Sequence, residues 1–148
     1  MKKYCLLLFV LLIGTVAANA QCDKKFKLTP ERIYQVNEDG SEGEAIPFTA
    51  EITISKDSIA VVFTMPDGNS GEIRGKHTET VCKMNADYTE GTIEYKTSAQ
   101  MLRNGEERPM NMLFTIESKA GKLSVFGVPV DQPNEKICFV IKDKQEIK

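Results

Sequence analysis

The chain holds a single histidine, His77, and that bounds its chemistry. A Ser–His–Asp or Cys–His nucleophilic site would have to pass its proton through this one ring. The residues around it, Gly75-Lys76-His77-Thr78-Glu79, form no nucleophile motif. Paired carboxylates of the glycosidase kind cannot be picked from 21 acidic residues until a geometry fixes their separation. The expectation is a binding protein, not an enzyme, with no cofactor. His77 could then line a cavity with Glu79, Tyr95 and Thr97 and take up a polar ligand head. A bulge that shifted the register by one would turn the ring to the surface instead, and a lone histidine without a defined partner is more often structural.

Other reactive side chains are read in the same way. Met101, Met110 and Met112 fall on one apolar face, where thioethers could adapt to an irregular ligand or simply fill a core. Glu38, Asp39, Ser41, Glu42 and Glu44 gather oxygens that a hard cation favours. Their spacing is not that of an EF-hand, so a solvated loop and no metal are expected.

Four cysteines occur, and Cys5 falls in an N-terminal leader. Lys2 and Lys3, the apolar run Cys5 to Ile13, and Ala18-Asn19-Ala20 read as a signal peptide over residues 1–20. The apolar run is too short for a membrane span. The remaining domain, residues 21–148, suits one core. Without the two leader lysines, 17 of the 19 basic residues face 21 acidic ones, a formal charge of −4. That balance carries no nucleic-acid-binding patch. The expected location is periplasmic or secreted. An alternative is an outer-membrane lipoprotein anchored through Cys22, although Asn19 and Gln21 depart from the usual lipobox. Cys22, Cys82 and Cys138 lack metal-ligand spacing and allow one internal bridge.

These residues must be held by strands. Asn104-Gly105 suits a two-residue type I′ turn. Folding there sets Met101 against Arg108, Thr97 against Met112, Tyr95 against Phe114 and Ile93 against Ile116. One face is apolar and the other polar. A second hairpin turns at Lys56-Asp57 and sets Ile52 against Val61 and Ile54 against Ile59. A first strand is expected over Arg32 to Val36. The acidic stretch 37–45 and the cluster 66–71 read as loops. Pairing across the latter puts Phe63 opposite Ile73. Continued alternation past His77 would bring Glu79 and Val81 to the apolar face. Beyond a turn at Lys119-Ala120, Phe114 is expected to face Val125. The last strand covers Lys136 to Lys142, with a frayed tail from Asp143.

Eight strands in hairpin succession and no helical period make an all-β, antiparallel up-and-down meander. It is closed or nearly closed into a barrel, with a two-sheet β-sandwich as the alternative. In this pattern of strands and turns the chain resembles the lipocalin-like (calycin-type) small secreted bacterial barrels. The Gly-x-Trp signature of lipocalins has no counterpart in Arg32-Ile33-Tyr34-Gln35-Val36, so the resemblance implies a fold and no family residue. Alternate connections share an end. The loops 37–45, 66–71, 104–105 and 130–135 form the more varied end, expected as an open mouth. Cys22 and Cys82 fall near the opposite end, which favours their pairing; three free thiols are the alternative. The favoured function is binding of a small, partly apolar ligand in the mouth by His77, Tyr95, Thr97, Met101 and Met112. The alternative is a protein-interaction or cell-surface accessory module with a packed core, using the mouth loops or an outer patch of Leu113, Phe126 and Val128.

Overall fold

Apolar residues recur at every second position through most of the chain, and there the backbone extends and turns them to one side. A computed structural model describes residues 22–148. The expected leader and its cleavage point lie outside the described residues. The strands are β1 (Lys25–Val36), β2 (Glu42–Ala45), β3 (Thr49–Ile54), β4 (Ser58–Thr64), β5 (Ser70–Met84), β6 (Gly91–Arg103), β7 (Glu106–Lys119), β8 (Lys122–Pro129) and β9 (Ile137–Ile147), with no helix among the described residues. All pairings are antiparallel, and β9 returns to β1. β1 and β3 to β9 therefore close an eight-stranded up-and-down barrel, in which every strand of the ring has a neighbour on both sides.

The remaining strand, β2, lies outside the ring. β9 runs along one edge of β1 from Lys25 to Gln35. The other edge is shared, with β3 on Phe26 to Leu28 and β2 on Tyr34 to Val36. So the acidic stretch is not all loop. Ser41 donates its backbone N–H and its hydroxyl to Asp39 at 2.9 and 2.5 Å, and Arg32 reaches Glu42 at 2.6 Å. These contacts fold Glu42–Ala45 back onto β1.

At both ends of the described residues the strands run further than alternation suggested. β1 begins at Lys25, well before Arg32, because Phe26 and Leu28 already point into the core. The tail is not frayed, since Asp143 to Ile147 pairs with Lys25 to Thr29. Pro30, which has no N–H to give, sits where the β1–β9 register shifts.

The two hairpins read from the sequence form in the expected register. Asn104 and Gly105 have φ of 53° and 79°, as a type I′ turn requires. Two other registers lie two residues away from expectation. Phe63 faces Gly71 rather than Ile73, and Phe114 faces Gly127 rather than Val125. A shift of two keeps every side chain on its face. In each case an aromatic ring lies over a glycine, where a Cβ would crowd it. The β7–β8 turn is correspondingly Ala120-Gly121, with φ of 50° and 76°.

β5 departs from simple alternation. A bulge at Thr78 breaks its pairing with β6 between His77 and Glu79. Gly71, Ile73, Gly75 and His77 face inward before it; Thr80, Cys82 and Met84 do so after it. Glu79 and Val81, expected inside, therefore face out. Glu79 pairs with Lys96 at 2.6 Å, and Val81 is 39% exposed.

The inward residues form one continuous core that includes Leu28, Ile52, Ile59, Ile93, Phe114 and Val125. Tyr88, in the β5–β6 turn, seals one end. Its ring meets Phe26 edge-on at 4.8 Å, and its carbonyl accepts the Ser118 hydroxyl at 2.8 Å. Lys144 Nζ lies 5.2 Å from the Tyr88 ring centre, close enough for cation–π attraction.

Candidate functional site

The length mismatch between β4 and β5 creates the site. β4 begins at Ser58, opposite Lys76, so β5 has no strand partner on that side beyond His77. The lead-in Cys22–Asp23 crosses there, and Cys22 is bonded to Cys82 with a Cα–Cα distance of 6.3 Å. The favoured pairing is therefore the one present. Closing a loop with a sequence separation of 60 is worth about 4 kcal/mol in the chain-entropy picture. The bridge hints at an oxidising location.

Between this staple, the β3–β4 turn and the lower part of β5 lies a depression of about 580 Å³, lined by Asp23, Lys56, Asp57, His77 and Thr78 among others. Lys56 and Asp23 approach to 3.4 Å across it. His77 sits at its inner edge. Its backbone N–H donates to the Asp57 carbonyl at 2.9 Å. Its ring stacks on Tyr95, with centroids 4.0 Å apart and planes at 22°. Nδ1 shares a 2.8 Å hydrogen bond with the Thr97 hydroxyl, the tautomer deciding which atom donates. Nε2 is buried and has no hydrogen-bond partner among the described residues. Burial lowers the pKa of this ring, and the Ser55 and Ser58 carbonyls and the Asp57 charge pull the other way. Burial also raises the Tyr95 phenol well above its usual value.

Three of the five residues expected at a ligand site thus meet directly: His77, Tyr95 and Thr97. Met112 faces Thr97 across β6–β7 but is built into the core at 5% exposure. Met101 stands apart. It lines a hollow of about 270 Å³ at the β6–β7 tip with Arg103, Asn104, Glu106 and Arg108. The cluster opens beside the Lys56-Asp57 turn, on the side opposite the loop-rich end. Tyr95 and Thr97 are 2% and 3% exposed, so they back the depression without lining it.

Among the described residues Cys138 is the free thiol; it faces the outer wall yet is fully buried. Burial raises its pKa, and hydrogen bonds with Tyr34 and Ser124 oppose that rise. The same contact with Cys138, reinforced by burial, pushes the Tyr34 phenol up to about 12. Sequence reasoning did not find this pair; only the β1–β9 register joins the two residues. Tyr88 was missed as well. Its signal was one aromatic in an otherwise polar turn. The outer patch forms as expected, with Leu113 facing Val128 and Thr115 facing Phe126 across β7–β8. Lys136 Nζ lies 4.7 Å from the Phe126 ring centre. Among the described residues no group of three or more His, Cys, Asp or Glu could hold a metal ion.

No protein-family model matches this chain, and no curated protein or solved structure shows significant similarity to it.

Proposed function

We propose that the chain is an exported, non-catalytic interaction module of lipocalin-like build that meets its partner on its outer surface. The observation that carries this reading is the state of the interior. An eight-stranded barrel holds either its own side chains or one small ligand. Here Phe114, Leu28, Ile52 and Val125 occupy the centre, and Tyr95, Thr97 and Met112 have almost no free surface. A disulfide persists in an oxidising compartment, which together with the leader pattern supports a periplasmic or secreted location. Native mass spectrometry of the chain recovered from its own host tests the reading. The expected mass is that of the bare polypeptide with one disulfide and no lipid. A stoichiometric small molecule retained on the chain overturns it.

A second reading is favoured by one observation, the unpartnered Nε2 of His77. A small, partly apolar ligand in the adjoining depression could pair with that nitrogen, with Tyr95 and Thr97 behind it. Stoichiometric retention that is lost in His77→Phe supports this reading, and retention unchanged by that substitution contradicts it.

A further inference from the structure

The outer wall carries a second concavity, away from His77. It runs from β1 across β3 to β6 as far as β7 and has a volume of about 710 Å³. Small residues stand behind its middle. Gly75 is flanked there by Ile59 and Ala99. A Cβ on Gly75 would overlap the Thr97 methyl and come within 3.0 Å of the Ala99 Cβ. Little side-chain volume therefore backs the groove at Gly75 and Ala99, which also line it.

The charge of this groove runs against that of the molecule. Lys25, Arg74 and Lys76 line it, and no acidic residue does. On neighbouring parts of the wall Lys27 pairs with Glu51 at 2.8 Å and Lys96 with Glu79 at 2.6 Å. Lys25 and Lys76 make no ion pair among the described residues. Arg74 engages Glu72 through Nε, leaving its terminal nitrogens to donate. The chain as a whole is net negative, so this is a local reversal of sign. Ala60, Ala99 and Pro109 give the groove an apolar part.

We propose that this groove docks an extended acidic segment of a partner protein. The proposal rests on the outer-surface reading above. Lys25 on β1 and Lys76 on β5 are three strand spacings apart in the ring, or about 14 Å. An extended chain covers about 13 Å in four residues. Carboxylates at positions i and i+4 would therefore reach both lysines, with small apolar residues between them over Ala60. Acidic sugar chains fit less well. The groove presents no aromatic ring on which a pyranose could stack.

The test is an amide-resolved NMR titration of the folded, exported chain with an alanine-based peptide bearing glutamate at every fourth position. Saturable shifts are expected at Ala60, Gly75 and Gln100, with loss of binding at high salt. The exposed pair Lys25→Glu and Lys76→Glu should abolish them. The pair Lys83→Glu and Lys122→Glu, away from the groove, should leave them in place. No shifts, or shifts elsewhere, overturn the proposal. Tighter binding of an oligogalacturonate at the same amides would reassign the groove to sugars. Concentration-dependent shifts without peptide would reassign it to a second copy. A bare native mass combined with a failed titration rejects the groove alone; a retained small molecule rejects the outer-surface reading beneath it.

Discussion

Burial makes His77 a poor base in the folded chain, and that has a consequence for stability. Its pKa is lowered on folding, chiefly by desolvation, from an unfolded value of about 6.5. The unfolded chain therefore binds more protons as the pH falls through that value, and the folded state loses stability there. The melting temperature is expected to drop between pH 7 and pH 5. In His77→Gln the drop should be smaller, because no proton can be taken up at that site. Equal slopes in the two proteins would contradict the assignment. The inward position of His77 was one of two outcomes legible in the sequence. What was not legible was the bulge one residue later, at Thr78. Nothing in Thr78-Glu79-Thr80 marks it, since a bulge depends on where the neighbouring strand ends. Glu79 was thereby assigned to the wrong face, and a candidate cavity partner became half of a surface ion pair.

At the scale of elements, turns and rings set the registers. Asn104-Gly105 fixed β6–β7 because few dipeptides accept two positive φ values, and that pairing was readable residue by residue. The β4–β5 and β7–β8 pairings were readable in face but not in register. Strict alternation is satisfied equally by a shift of two. The deciding factor is volume, since Phe63 and Phe114 need a glycine opposite them. At Gly127 a Cβ would stand 3.1 Å from Phe114 Cε1, and that ring is only 1% exposed, so it has little room to yield. Gly127→Val is therefore expected to destabilise the fold by about 1–3 kcal/mol in urea unfolding. Combining it with Phe114→Leu should recover part of that loss. Strictly additive penalties would show that the ring and the glycine do not share the space. β2 escaped sequence reading because four residues, two of them Glu and one Gly, carry no strand pattern. Its partner, the part of β1 that β3 leaves unpaired, is visible only once the ring has closed.

For the molecule as a whole, alternation and turn spacing gave the barrel, its strand order and the Cys22–Cys82 staple. They could not say what fills it, because the same inward residues can line a lumen or pack against one another. The structure brings His77, Tyr95 and Thr97 together at a depression in the wall and leaves Met101 near the tip. The proposed interaction reading accordingly looks to the surface, where the basic groove, the outer patch and the His77 depression lie. The central claim is that the interior is occupied by the chain's own side chains. Methyl-resolved NMR of Ile-, Leu- and Val-labelled protein, titrated with dodecanoate as an apolar probe, tests it directly. The methyl signals of Ile52, Val61 and Val125 should stay unmoved throughout, because these residues are 0–2% exposed and packed in the core. Saturable shifts of those same methyls would mean that the barrel opens to a ligand, and would contradict the account.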